Sequence, residues 1–285
     1  MIIVVDSGST KADWQIAQGD QVETIHTQGL NPVFLTEEEV FEVVSAALGG
    51  HPSAELAEAV FFYGAGCWDA GRSGRIQGAL QRVFRNASVT VEHDLLGAAR
   101  ATCGNHPGIS CIIGTGSNTC LYDGVDVTDN VTNLGYLIGD EGSGTWLGKA
   151  LIRAYFYREM PPDVRSWFDE AYPGGESAIL DGVYATDDTP NVYLASFTRF
   201  FSKHKSHLFI QKLLYDAFAL FIDRHVRKYK GHIHLPIHFI GSVAYYFQDV
   251  LEVVLAERNM QPGIFIQKPI DNLTAYHKGH ILQMQ

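Results

Sequence analysis

The sequence lacks a basic excess, long apolar runs and paired cysteines. Its 21 Lys and Arg against 32 Asp and Glu give a formal net charge of −11, which disfavours a broad electrostatic surface for nucleic acid. No apolar run approaches membrane-spanning length, and the first residues lack the basic and apolar regions of a secretion signal. The 4 cysteines form no C-x-x-C pair, which is typical of buried thiols in a reducing compartment. We therefore expect a cytoplasmic protein without nucleic-acid or membrane partners.

A Gly/Ser/Thr-rich turn follows the first apolar run. That run ends at Asp6, and a second apolar run begins after residues 7–11, which predicts a strand–turn–strand. Backbone N–H groups in such a turn can hold phosphate oxygens, and the hydroxyls of Ser9 and Thr10 add donors. Asp6, at the strand end, can hold a hydrated Mg²⁺ that bridges the phosphates. Read alone, the stretch fits an ordinary hairpin turn equally well.

A second copy of this layout distinguishes the two interpretations. Residues 115–118 match residues 7–10 position by position, again between two apolar runs, and Gly114 stands where the first copy has Asp6. Two such turns favour a duplicated fold with a phosphate loop in each half. Because only the first copy has the acid, we expect it alone to hold the metal.

The order of predicted elements also indicates duplication. The first half reads β-β-β-α-β-α-β-α up to a linker at residues 104–108, and the second half starts again with three strands. A glycine-rich loop at residues 135–144 precedes a long predicted helix, whereas the pattern of residues 161–190 is less regular. We therefore divide the chain into an N-terminal lobe, 1–106, and a C-terminal lobe, 107–285, with a helical insert. The terminal helix is a candidate to pack back on the N-terminal lobe.

These motifs, in this order, resemble the actin, hexokinase and Hsp70 ATPase superfamily. Within it they most resemble the N-acetylglucosamine kinases, which are grouped with the BadF/BadG/BcrA/BcrD-type ATPases. Beyond the two phosphate motifs, residues 239–243 resemble the adenosine motif and residues 93–98 the strand-end acid before the interdomain helix. Residues 139–143 are the most specific match, in a loop that contacts the sugar in these kinases. The resemblance covers nearly the whole chain.

The resemblance implies an α/β fold of duplicated ribonuclease H-like (actin-like ATPase) domains, each a mixed sheet with flanking helices, around a central cleft. It implies an ATP-dependent, Mg²⁺-requiring kinase that phosphorylates N-acetylglucosamine or a close amino sugar at its 6-hydroxyl. The residues that would bind the nucleotide are Ser7, Gly8, Ser9, Thr10, Lys11, Gly114, Thr115, Gly116, Gly241 and Ser242. Those that would bind the sugar are Asn31, Asp94, Ser117, Asn118, Gly135 and Asp140.

Each of the polar candidates also has a purely structural explanation. Asp94, expected to be the catalytic base, is also a residue type favoured at a helix N-cap. Asn31 precedes a proline and fits a plain turn. Asp140 and Glu141 both lie between glycines, where carboxylates can accept hydrogen bonds from sugar hydroxyls, and an N-cap for the following helix is the structural alternative. Asp140 is preferred as the sugar ligand. Trp68 is more typical of a core or edge aromatic than of a sugar platform.

Other functions remain open at this stage. A BadF-type ATPase that acts on a redox protein would need paired cysteines for an iron–sulfur cluster, which this sequence does not offer. A kinase-fold sugar sensor would carry a DNA-binding helix-turn-helix ahead of the first strand. The sugar is also open, since glucosamine, another hexose such as glucose, and N-acetylmuramic acid are alternatives. Relatives are often dimers, so a homodimer is a further expectation to test.

Overall fold

The structure is a computed structural model that describes residues 1–8, 10–184 and 190–284. Ser9, a predicted nucleotide ligand, therefore lies outside the described residues. The chain forms two compact units: Met1–Asn105 together with Lys268–Gln285, and His106–Gln267. No helix among the described residues has the length and apolar character needed to cross a membrane.

The first unit contains a five-stranded mixed sheet in the order β3-β2-β1-β4-β5. The pairs β1–β2 and β2–β3 are antiparallel, whereas β1–β4 and β4–β5 are parallel. Its strands are β1 (Ile2–Ser7), β2 (Lys11–Gln18), β3 (Gln21–Gln28), β4 (Ala59–Gly64) and β5 (Ser88–His93). Its helices are α1 (Glu37–Leu48), α2 (Ser53–Leu56), α3 (Ala70–Val83), α4 (Asp94–Cys103) and the C-terminal α14 (Ile270–Met284). The predicted order of this half is confirmed, with the short α2 as an addition.

The two faces of this sheet differ because successive side chains of a strand point to opposite sides. Ile3 and Val5 of β1 enter a core cluster to which α1 and α3 also contribute. Asp6 follows Val5, so its side chain belongs to the opposite face. On that face Tyr63 joins two helices: Arg100 of α4 donates to its hydroxyl at 2.9 Å, and His277 of α14 is hydrogen-bonded to the same oxygen at 2.8 Å. The terminal helix is thus part of the first unit.

The second unit repeats the five-stranded mixed sheet, in the order β10-β9-β6-β7-β8. Its strands are β6 (Gly108–Ile113), β7 (Ser117–Tyr122), β8 (Val127–Asp129), β9 (Pro236–Ile240) and β10 (Gln261–Ile266). Its helices are α5 (Gly135–Ile138), α6 (Gly144–Phe156), α7 (Pro162–Ala171), α8 (Gly175–Tyr184), α9 (Pro190–Ser196), α10 (Thr198–Lys203), α11 (Leu208–Arg224), α12 (Ser242–Tyr246) and α13 (Gln248–Glu257). As in the first sheet, the two antiparallel pairs lie on one side and the two parallel pairs on the other.

The expectation that residues 161–190 are less regular is wrong for most of that segment. It contains α7 and α8, which place Val164, Phe168 and Ile179 in the core of the second unit. Each helix has only 10 residues, a length at which helical stability comes from tertiary packing more than from local propensity. The local pattern was therefore a weak guide.

Candidate active site

Three carboxylates lie toward one edge of the first unit's sheet. Asp6 and Asp13 are register partners on β1 and β2, and Asp94 follows β5 directly as the first residue of α4. Because β1, β4 and β5 are parallel, Asp6 and Asp94 stand at the same ends of their strands. β5 is two strands from β1, which corresponds to roughly 10 Å at ordinary strand spacing.

The electrostatics single out Asp6 and Asp94. Burial is the largest cause that raises the pKa of Asp6 to about 7, and the charges of Asp13 and Asp94 add to it. The ammonium groups of Lys11 and Lys268 oppose this shift. Burial also raises the pKa of Asp94 to about 6. Two raised carboxyl pKa values at one sheet edge are typical of a functional site.

The structure separates Asp94 from the helix cap. His93 is the N-cap residue of α4, and its Nδ1 accepts the Leu96 N–H at 3.2 Å. Asp94 instead accepts the neighbouring Leu95 N–H through Oδ1 at 2.9 Å. The indole of Trp68, half exposed, stacks on the His93 ring with 4.5 Å between centroids. Of the two expected positions, core or edge, Trp68 takes the exposed one, and its aromatic surface adjoins the residue that precedes Asp94.

Sequence analysis missed Asp13, a buried carboxylate whose two oxygens both accept hydrogen bonds. His26 Nδ1 donates to Oδ1 at 2.8 Å, and Lys268 Nζ donates to Oδ2 at 2.9 Å. The bond to Asp13 raises the pKa of Lys268. An available signal was the alternation of β2, which puts Asp13 on the same face as Lys11. Nothing in the sequence pointed to Lys268.

At the turn between β1 and β2, some of the predicted nucleotide ligands are hydrogen-bonded within the fold, and others have exposed side chains. The Ser7 hydroxyl accepts the Leu30 N–H at 2.9 Å, and the Gly8 N–H donates to the Lys11 carbonyl at 3.0 Å. The side chains of Thr10 and Lys11 are exposed. Hydroxyl and ammonium donors at the turn are therefore supplied by Thr10 and Lys11, while Ser7 holds the turn to the segment at Leu30.

Asn31 closes a turn, as the structural explanation of this residue expected. Its Oδ1 accepts the Val33 N–H at 2.9 Å, and its side chain is almost fully buried. Gly66 approaches it so closely that a Cβ at that position would lie 2.3 Å from Asn31 Oδ1. A cavity of about 240 Å³ adjoins Asn31, and the role of this residue as a sugar ligand stays a prediction. The cavity is lined by Thr10, Gln28, Gly29, Asn31, Phe34 and Leu35.

In the second unit, the β6–β7 turn is tied to the start of α6. Gly144 N–H donates to the Gly114 carbonyl at 2.8 Å, and Thr145 N–H donates to the Thr115 carbonyl at 3.1 Å. These first N–H groups of α6 are thus not available to an anion. Among the described residues, the N–H groups of Thr115 and Gly116 have no hydrogen-bond partner. With the exposed Thr115 hydroxyl they present open donors, as a phosphate turn requires.

Asp140 is held on this turn. Its Oδ1 accepts the Ser117 N–H at 3.1 Å and the side-chain amide of Asn133 at 2.6 Å. Burial raises the pKa of Asp140, and these two donors oppose the shift. Its Oδ2 receives no hydrogen bond from the residues that the structure describes, so one oxygen is open to a ligand hydroxyl. Asn133 was not predicted, although it begins the glycine-rich segment.

The remaining predicted sugar ligands have different surroundings. The Ser117 hydroxyl is buried and has no partner within the described chain. The Asn118 Oδ1 accepts the Thr119 N–H at 3.0 Å and the Asn130 amide at 3.1 Å, so this oxygen is engaged within the sheet region. Gly135 has a φ of 72° and donates its N–H to the Asn133 side chain. The roles of Ser117 and Asn118 as sugar ligands stay predictions.

The residues that resemble the adenosine motif lie at the end of β9. Gly241 has a φ of 114°, and a Cβ there would lie 2.4 Å from the Ile113 carbonyl oxygen, so only glycine fits. Ser242 follows at the start of α12 and adjoins a cavity of about 140 Å³. Its lining residues are Thr198, Arg199, Ser202, Ser242, Val243, Tyr246 and Phe247.

The chain is similar to solved structures along nearly its whole length. A Porphyromonas gingivalis protein assigned as an N-acetylglucosamine kinase is 37% identical, with a TM-score of 0.92 over 99% of this chain and 100% of that chain. The chain belongs to the N-acetylglucosamine kinase family. The family predicted from the motifs is thus confirmed.

Two more distant structures show the shared fold. A Chromobacterium violaceum protein, also assigned as an N-acetylglucosamine kinase, is 19% identical with a TM-score of 0.72 over 96% of this chain and 98% of that chain. The ROK family glucokinase from Streptomyces griseus is 17% identical with a TM-score of 0.54 over 96% of both chains. The expected actin-like ATPase fold is confirmed. No protein-family model and no curated protein matches the chain.

Proposed function

We propose that this protein is an ATP-dependent kinase that phosphorylates N-acetylglucosamine, or a close amino sugar, at the 6-hydroxyl. The observation that carries the proposal is the likeness, over 99% of the chain, to a protein assigned as an N-acetylglucosamine kinase. The raised pKa of Asp94 at the sheet edge agrees with it, since a kinase of this kind needs a carboxylate base.

Asp94 is proposed as the base. With a pKa of about 6 it is mostly ionised at neutral pH, yet it binds a proton more readily than an ordinary Asp. The sugar oxygen forms a bond to the γ-phosphorus, the bond from that phosphorus to the bridging oxygen breaks, and ADP leaves with that oxygen. The hydroxyl proton passes to Asp94.

Asp6 is proposed to hold Mg²⁺. Both oxygens of Asp13 are occupied, so Asp6 offers the available carboxylate of this strand pair. Burial and the charges of Asp13 and Asp94 raise its pKa, Lys11 and Lys268 offset this only in part, and a bound cation would stabilise the charged form. One carboxylate with phosphates and water is an ordinary set of Mg²⁺ ligands. When bound, the ion would neutralise charge on the phosphates.

Residues of the second unit are proposed as further ligands, each on the evidence of its own surroundings. The open N–H groups of Thr115 and Gly116 are proposed to bind phosphate oxygens, as are Thr10 and Lys11 of the first unit. Asp140 Oδ2 is proposed to accept a hydrogen bond from a sugar hydroxyl. The cavity beside Ser242 is proposed to take the nucleobase.

The four cysteine side chains bear on the proposed cellular location. Cys67, Cys103, Cys111 and Cys120 are all buried thiols. Buried thiols are typical of a reducing compartment, so we propose a cytoplasmic location. These thiols also give no support to an iron–sulfur protein.

The test is a coupled ADP-release assay with Mg²⁺–ATP and a panel of hexoses. We expect ADP release that depends on one amino sugar and falls about 10²–10⁴-fold in Asp94→Asn. Asp20→Asn, at an exposed turn, should keep wild-type activity. NMR of the product should show the phosphate on the 6-oxygen. ADP release indifferent to every sugar would instead support an ATPase that acts on a protein partner.

A further inference from the structure

We propose that Glu141 is a positioning residue that clamps the loop carrying Asp140 to the end of α11. The inference rests on the proposed function, because it concerns how the proposed sugar-binding carboxylate is held. Asp140 and Glu141 are consecutive and both buried, yet their side chains have separate partners. Asp140 is bonded to the β6–β7 turn, whereas Glu141 is bonded to α11.

Both oxygens of Glu141 are engaged. Arg224 Nη1 donates to Oε1 at 2.5 Å, and His225 Nε2 donates to Oε2 at 3.0 Å. The side chains of Glu141 and His225 are 6% and 7% exposed, whereas Arg224 is 54% exposed. Burial alone would raise the pKa of Glu141, but the hydrogen bonds from His225 and Arg224 lower it overall. Glu141 is thus a buried, charged carboxylate with no oxygen left for a sugar.

The backbone around Glu141 needs such an anchor. Asp140 has a φ of 61°, a left-handed conformation that is uncommon for residues other than glycine. Gly142, on the other side, has a φ of 75°, and a Cβ there would lie 3.0 Å from Phe221 of α11. Strained backbone of this kind persists only where neighbouring contacts determine it. The two bonds of Glu141 supply those contacts from α11.

The loop is therefore held from two sides by consecutive residues. On one side Asp140 accepts the Ser117 N–H of the turn, and on the other Glu141 accepts from Arg224 and His225. A shift of Glu141 would rotate the adjoining peptide and move Asp140 Oδ2, the oxygen proposed to meet the sugar. A displacement of about 1 Å at such a group costs on the order of 10²-fold in rate.

The kinetic test compares Glu141→Gln with Glu252→Gln, an exposed carboxylate of α13 in the same unit. We expect Glu141→Gln to raise KM for the sugar and lower kcat/KM by roughly ten- to a hundredfold, and Glu252→Gln to leave both unchanged. Arg224→Gln, which removes one of the two bonds at a half-exposed residue, should give a smaller change of the same kind. Wild-type sugar kinetics in Glu141→Gln would overturn the proposal.

A double-mutant cycle separates positioning from general stabilisation. If Glu141 acts through Asp140, the double variant Glu141→Gln/Asp140→Asn should have the same kcat/KM as Asp140→Asn alone. Losses that multiply in the double variant would contradict action through Asp140. The cycle uses activity, so it depends on the proposed function.

Amide hydrogen exchange supplies a readout that does not depend on activity. Glu141→Gln should speed exchange at the Ser117 amide, which is bonded to Asp140, while segments of the first unit exchange at the wild-type rate. Unchanged exchange at Ser117 would refute the clamp even if the protein is the proposed kinase. Faster exchange in a protein without sugar-dependent activity would support the clamp and refute the proposed function.

Discussion

Asp6 and Asp13 are paired across the antiparallel strands β1 and β2, and their carboxylate groups differ in the hydrogen bonds that they receive. Asp13 accepts hydrogen bonds from His26 and Lys268, whereas the Asp6 carboxylate receives none from the residues that the structure describes. Burial, together with the charges of Asp13 and Asp94, raises the pKa of Asp6 to about 7. Burial acts on Asp13 as well, but its hydrogen bonds and the charges of Lys11 and Lys268 outweigh it and lower the pKa of Asp13. One carboxylate is thus satisfied by the fold, and its partner carries a charge that the proposed metal would neutralise.

Asp6→Asn should abolish sugar phosphorylation and yet stabilise the protein at pH 8 without Mg²⁺. The pKa of Asp6 is about 7 in the folded protein against a model-peptide value of 3.8, so the folded state binds the proton more tightly. Its stabilising contribution is therefore present below pH 4 and is lost as pH rises through 7. At about 1.36 kcal/mol per pKa unit, the variant should gain on the order of 2–4 kcal/mol in free energy of unfolding.

Urea unfolding at pH 5 and pH 8 checks this expectation. The gain from Asp6→Asn should be larger at pH 8 than at pH 5, and Asp20→Asn, at an exposed turn, should show no such difference. A variant less stable than wild type at pH 8 would show that Asp6 is compensated in the folded protein.

The pH dependence of kcat should have an acidic limb set by Asp94. Because burial raises the pKa of Asp94 to about 6, this carboxylate is protonated below that pH and cannot accept the sugar proton. We expect kcat to fall about tenfold per pH unit below the apparent pKa and to level off above it. Rates measured between pH 5 and pH 8 at saturating ATP, Mg²⁺ and sugar test this. A kcat that stays constant down to pH 5 would argue against Asp94 as the base.

Lys268→Met should destabilise the protein, because it leaves the buried carboxylate of Asp13 without its ammonium partner. Loss of one partner of a buried ion pair costs about 3–5 kcal/mol. Lys268 is 45% exposed, and solvent screening reduces the expected cost to roughly 1–3 kcal/mol. Urea unfolding measures it, with Lys230→Met at an exposed residue as the control. Equal stabilities of the two variants would mean that the Asp13–Lys268 pair contributes little.

Gly66→Ala should disturb Asn31. Gly66 has a φ of 84°, and the added Cβ would lie 2.3 Å from Asn31 Oδ1. Strain of this type costs on the order of 1–3 kcal/mol. If Asn31 binds the sugar, KM for the sugar should also rise. Gly74→Ala, in α3 with nothing near the added Cβ, should be neutral or slightly stabilising. A sugar KM unchanged in a folded Gly66→Ala would argue against Asn31 as a ligand.

The sequence by itself determined three features: the duplication, the order of strands and helices along the first half of the chain, and the family. These features depend on local chemistry: alternating or apolar runs form strands, and Gly/Ser/Thr turns follow them. The positions of Asp6 and Asp94 at strand ends were predictable for the same reason. The two carboxylates share a sheet edge because their strands are parallel.

Only the tertiary structure decided which polar groups are already satisfied. Asp13 and Lys268 are 255 residues apart, and Glu141 and His225 are 84 apart. No periodicity or turn signal spans such distances, because folding alone brings these groups together. The same holds for α7 and α8, which pack on a core contributed by distant segments. The sequence pointed to Asp140 and Glu141 as a pair. Only their partners in the structure distinguish Asp140, the proposed sugar ligand, from Glu141, the residue proposed to position it.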